Sequence, residues 1–113
     1  MKVPNAHEAV IRPAKLSGYL LSRSHPVGRY KAPFFESLGY TSEGWRRLES
    51  DLREQHLTQD AFAGRPTRYG QKFEVWATLT GPSGRPAEVV SVWVVLHGEE
   101  IPKFVTAFPG EVP

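Results

Sequence analysis

Gln71-Lys72-Phe73-Glu74-Val75-Trp76-Ala77-Thr78-Leu79 is the stretch that decides the fold. Phe73, Val75, Ala77 and Leu79 alternate with Lys72, Glu74, Trp76 and Thr78, and a period of two is the mark of a half-buried strand. Gly81-Pro82-Ser83-Gly84 turns the chain, and Glu88 to Leu96 follows with Val and Trp on both faces, as a central strand requires. His97-Gly98-Glu99-Glu100 turns it again, and Lys103 to Phe108 reads as a third strand before a Pro/Gly tail. Turns this short imply an antiparallel meander.

Upstream the period is helical. Pro13 to Leu21 places Leu16, Tyr19 and Leu20 on one side, with Pro13 in the first turn and Gly18 as a weak point. Pro33 to Leu38 reads as a second helix, stopped by Gly39. Thr41-Ser42 can cap a third, in which Trp45, Leu48 and Leu52 recur at helical spacing and His56 continues the stripe. Residues 57–70 carry Gly64, Pro66 and Gly70 and read as a loop, long enough to suggest a binding segment. Val3 to Ile11 reads as an edge strand or extended arm. The fold class is therefore α+β: two to three N-terminal helices packed on a three- to four-stranded antiparallel sheet.

The totals bound what the chain can be. At 113 residues it is expected to form one domain over 1–113, with 40% apolar and 23% charged residues, as in ordinary globular proteins. No apolar run approaches the roughly 20 residues that span a bilayer, so no membrane partner is expected. The first residues lack the apolar core of a signal peptide, which makes the cytoplasm the expected location. The absence of cysteine excludes disulfides, thiol catalysis and thiolate metal sites. The histidines lack metal-binding spacing and no Gly-rich nucleotide loop is present, so neither metal nor cofactor is expected. Charge is uneven: through residue 48 eight cations face three carboxylates, giving +5 there and −3 in the rest of a chain whose net charge is +2. Such a half can steer a polyanion.

The most concentrated chemistry lies in His25-Pro26-Val27-Gly28-Arg29-Tyr30-Lys31-Ala32-Pro33-Phe34-Phe35. One imidazole and two cations occupy a turn that ends at a helix start, where cations are disfavoured unless an anion joins them. Free backbone donors together with Arg29, Lys31 and His25 would suit a phosphate. Each residue also has a plainer reading. His25 can fold over a helix end with its ring on a free carbonyl, Lys31 can lay its stem over the core, and Thr106 can fill a strand position.

Lys15-Leu16-x-x-Tyr19-Leu20-Leu21, the run His25-Pro26-x-Gly28-Arg29-x-Lys31-Ala32-x-x-Phe35, and Leu38-Gly39-Tyr40 resemble an uncharacterised bacterial domain family. Tyr69-Gly70-x-x-Phe73, Ser91-x-Trp93 and Phe104-Val105-Thr106-Ala107-Phe108 fit the same pattern. That family occurs as small stand-alone proteins and at the C-termini of adhesin- or toxin-like proteins. More distantly, the plan resembles toxin ribonucleases of the barnase–EndoU–colicin–RelE group. The resemblance implies metal-independent RNA cleavage, with His25 as base, Lys31 and Arg29 holding the phosphate, and Thr106 donating a hydrogen bond from the last strand. Tyr30, Ser91 and Trp93 would complete the substrate contacts, and a small acidic immunity protein would cover the basic cleft. The other class is a non-catalytic module that binds a protein or nucleic acid through the same basic face.

Overall fold

The period-two stretch lies in β2 of a four-stranded antiparallel sheet whose strands lie in chain order: β1 (Ala61–Ala63), β2 (Gly70–Thr80), β3 (Pro86–Leu96) and β4 (Lys103–Pro109). The computed structural model describes residues 1–110, and the end of the Pro/Gly tail, 111–113, lies outside them. Three short helices precede the sheet: α1 (Pro13–Lys15), α2 (Ala32–Ser37) and α3 (Trp45–Asp51). α1 runs on into a π-turn, Leu16–Leu20, and α3 into another, Leu52–His56. The fold is α+β, with the helices N-terminal to the strands. No described helix is long and apolar enough to cross a membrane.

One segment differs from its sequence reading, and another takes the second of its two. The supposed loop 57–70 contains β1, whose three residues Ala-Phe-Ala are too few to display a period; Ala61 pairs with Val75 and Ala63 with Phe73. The stretch Val3 to Ile11 is an arm with a 3-10 turn at Ala6–Glu8, and only Val10 bonds to the sheet. The Val10 N–H donates to the Pro102 carbonyl and the Val10 carbonyl accepts from Phe104, both at 2.9 Å. Val3, Ala9 and Ile11 are buried, so packing fixes the arm where hydrogen bonds do not. The Thr41 hydroxyl accepts from Gly44 N–H at 3.0 Å, which orders the turn before α3.

One face of the sheet carries the core. Register sets Phe73 beside Trp93, Val75 beside Ser91 and Ala77 beside Val89, and Leu16, Leu20, Phe35, Leu48 and Leu52 join the same buried cluster. At an apolar burial worth about 25 cal/mol per Å², this shared seam supplies most of the drive to fold. Polar groups inside it are paired. The Tyr40 hydroxyl donates to Asp51 at 2.6 Å, and Arg47 Nε donates to the same carboxylate at 3.1 Å, binding α3 to the chain that follows α2. Burial and the adjoining carboxylate hold the Tyr40 phenol far above its ordinary value, so it remains a donor.

His56 sits at the centre of a second buried chain. The Ala77 carbonyl can only accept, so Nε2 carries the proton and donates to it at 3.2 Å. Nδ1 therefore accepts from the Ser91 hydroxyl at 2.7 Å, and Ser91 Oγ accepts from the Trp93 indole N–H at 2.9 Å. Every member is satisfied in the neutral state. Among the described residues no buried side-chain polar atom lacks a partner.

One irregularity shapes the sheet's edge. Val92 pairs with Thr106 but Trp93 pairs with Phe104, which leaves Val105 as an extra residue on β4. This bulge lets both Phe104 and Ala107 face the core, three positions apart, and bends the strand where Thr106 sits.

Burial pushes the His56 imidazole down to about 4 from a reference near 6.5, against weaker opposing effects of the Ala77 carbonyl and Glu88. The unfolded chain then takes up the proton first as pH falls. The stability His56 contributes is complete above about pH 6.5 and is lost toward pH 4, a total of about 3 kcal/mol. Urea midpoints should therefore drop between pH 7 and pH 4.5, and the His56 ring resonances should titrate near 4. A midpoint near 6.5 for that ring would contradict its buried, neutral role.

Candidate functional site

The sequence His25-Pro26-Val27-Gly28 folds as a clamp on the π-turn that follows α1. His25 Nδ1 accepts two backbone hydrogen bonds, from Val27 N–H and Gly28 N–H, each at 3.0 Å. Gly28 then opens a 3-10 turn, Gly28–Tyr30, that leads into α2. A Cβ at Gly28 would lie 1.8 Å from the Tyr19 carbonyl oxygen, so only glycine permits this approach. The His25 ring meets the Tyr19 ring edge-on at 5.0 Å. The plainer reading of His25 put its ring on a free carbonyl; the structure puts it on the N–H groups of Val27 and Gly28.

This clamp changes two expectations. The backbone donors of the turn before α2 are occupied: Val27 and Gly28 by His25, and Arg29, Tyr30 and Lys31 by the carbonyls of His25, Val27 and Gly28. α2 itself is only six residues long. Secondly, neutral His25 with an accepting Nδ1 carries its proton on Nε2. In this arrangement it is a donor, not the base that cleavage of RNA requires.

The convergence lies one step away. The Tyr19 hydroxyl and Thr106 Oγ1 are 3.0 Å apart, and Lys31 Nζ donates to the same Thr106 oxygen at 3.2 Å. The Lys31 ammonium also stands over two rings, 5.9 Å from the centre of Tyr19 and 5.4 Å from that of Phe108. The adjoining cleft, about 630 Å³, is lined by Arg12, Lys15, Tyr19, His25, Val105 and Thr106 among others. Lys15 approaches the Tyr19 ring at 5.6 Å. Arg12, Lys15 and Lys31 form no ion pair among the described residues, whereas Arg23, Arg47, Arg53 and Lys103 each have a carboxylate. Among the described residues no Asp or Glu lines the cleft.

The structure thus brings His25, Lys31 and Thr106 together around Tyr19. It does not bring Ser91 or Trp93 to them: both are fully buried in the core, engaged with His56 and one another, and neither can touch a substrate. Arg29 and Tyr30 are exposed and pair with each other, the guanidinium 4.9 Å from the ring centre, outside the cleft lining. Tyr19, Lys15 and Arg12 are the members that sequence reading missed. Tyr19 reads with Leu16 and Leu20 as one side of the helix and packs against the core; the signal for its further role is a polar-tipped aromatic on an otherwise leucine stripe. Among the described residues no group of three His, Cys, Asp or Glu side chains is placed to hold a metal ion.

Because Gly28 lies against Tyr19, Gly28→Ala should lower stability by about 2 kcal/mol or more and free the turn from the π-turn after α1. Thermal melting and the nuclear Overhauser contacts between the His25 and Tyr19 rings measure this. A variant that melts like the wild type with those contacts intact would contradict the docking.

Comparisons with curated proteins and with solved structures return no match. A model of a domain of unknown function, DUF6883, matches residues 2–111. The match runs through the arm, the helices, the cleft and all four strands, and the chain belongs to the DUF6883 family.

Proposed function

We propose that the cleft binds phosphate groups of RNA and that the chain acts as a single RNA-binding domain over residues 1–113. The observation that supports this best is the set Arg12, Lys15 and Lys31, three cations without acidic partners among the described residues, beside the hydroxyls of Tyr19 and Thr106 and the His25 Nε2–H. Thr106 lends its hydroxyl to orient the Lys31 ammonium, while the Tyr19 ring under it disperses charge. A phosphate seated there would gain charge-assisted hydrogen bonds without displacing a carboxylate.

The catalytic reading, a metal-independent ribonuclease of the toxin type, rests on the Lys31–Thr106–Tyr19 cluster, which has the charge to hold a phosphorane. His25 would serve it as a hydrogen-bond donor to the phosphate rather than as base. A small acidic immunity protein is the partner whose charge would complement this cleft. The binding reading stands ahead because His25 keeps its Nδ1 lone pair on the turn.

Fluorescence anisotropy with a labelled single-stranded RNA, run over a series of salt concentrations, tests the binding. Three phosphate contacts should give a slope of log K against log salt of about −2, and Lys31→Met should weaken binding and reduce the slope by about 0.7. A flat salt dependence, or a Lys31→Met variant that binds like the wild type, would overturn the reading. The same RNA on a denaturing gel with chelator present separates the two classes: cleavage that Lys31→Met abolishes makes the domain a ribonuclease, and intact RNA leaves it a binder.

A further inference from the structure

The sheet has a second face. Register places Phe62, Glu74, Val92 and Thr106 in one row across the strands, and Trp76, Val90 and Phe108 in the next. Phe62 is 62% exposed and Trp76 49% exposed, the two largest apolar side chains this face leaves to solvent. Val90, between Trp76 and Phe108, is fully buried without belonging to the main core cluster. Trp76 and Phe108 flank it, so this face is an apolar platform carrying separate aromatic rings. Strands lie about 4.8 Å apart, so Trp76 and Phe108 are about 10 Å apart along this row.

This platform is continuous with the cleft. Thr106 belongs to the Phe62 row, and the Lys31 ammonium that it binds stands over Phe108 in the next. One cation therefore touches both surfaces. The other flank carries exposed Lys72, which has no ion pair among the described residues. Glu74 and Glu88 also lie on this face, and Glu88 accepts a hydrogen bond from Thr78. Exposed rings with ammonium groups beside them are what an unpaired nucleotide chain needs: π-faces for its bases and cations for its backbone. A duplex keeps its bases stacked inside and offers no faces to Trp76 or Phe62.

We infer that the occupant of this face is single-stranded RNA, whose bases stack on Trp76 and Phe62 while a neighbouring phosphate sits at Lys31 and Thr106. The inference rests on the phosphate reading of the cleft and adds to it the strandedness of the ligand.

Three probes separate the two claims: a single-stranded oligoribonucleotide, the duplex of the same sequence, and inorganic polyphosphate, which has charge but no bases. The single strand should bind about ten-fold tighter than the duplex and quench tryptophan fluorescence. Trp76→Ala should lose about ten-fold toward the single strand and nothing toward polyphosphate, with Phe62→Ala acting in the same direction. Both side chains are exposed, so both variants should fold, and circular dichroism checks that. If both bind the single strand like the wild type while Lys31→Met does not, the platform inference fails and the cleft stands. If the duplex binds as well as the single strand, the platform inference fails too. If Lys31→Met changes neither RNA nor polyphosphate binding, the cleft reading fails. If Trp76→Ala loses both probes equally, Trp76 acts through the fold and the stacking role is refuted.

Discussion

Tyr19 holds the working parts of this molecule in place. Its carbonyl receives Gly28 so closely that no side chain fits between them, its ring abuts His25, and its hydroxyl meets Thr106 on the last strand 87 positions away. One residue on a short helix thereby fixes a turn and a sheet edge relative to one another. Lys31 completes the arrangement by bonding to Thr106 and standing over the Tyr19 ring. None of these contacts is strong alone, since a neutral hydrogen bond nets about 1 kcal/mol. They matter because each constrains the same small region.

The run from His25 to Phe35 takes on a different meaning in this light. The imidazole holds two backbone N–H groups, Gly28 permits the close approach, and Lys31 is the residue they deliver to the cleft. His25 and Gly28 thus shape the turn from which Lys31 reaches Thr106 on the last strand. In the core, Ser91 and His56 have the look of a nucleophile and base but lie sealed with Trp93 in a closed hydrogen-bond chain.

How much of this was legible depends on the range of the interaction. Alternation in Gln71–Leu79 and the Val-rich run after it revealed β2 and β3, because a sheet with one buried face imprints its period on the chain. β1 was hidden because three residues carry no period. The bulge at Val105 was hidden because Lys103–Phe108 is apolar enough to suit either register. His25, Lys31 and Thr106 were named from residue type, and the structure gathers them; Ser91 and Trp93 were named by the same reasoning and proved to be core. Tyr19 went unread since its role is defined by residues far away in sequence.

The π-turn at Leu16–Leu20 bears on how this surface tolerates change in length. Leu21 N–H reaches back five residues to the Leu16 carbonyl, so the segment holds one residue more than a regular helix needs. Deleting one residue there would let the helix close regularly, and every position beyond the deletion would swing by about 100° around its axis. The phenol would turn away from β4, and the turn that leans on its carbonyl would follow. Substitutions along this helix act one side chain at a time, whereas a change of one residue in its length rearranges the entire cleft.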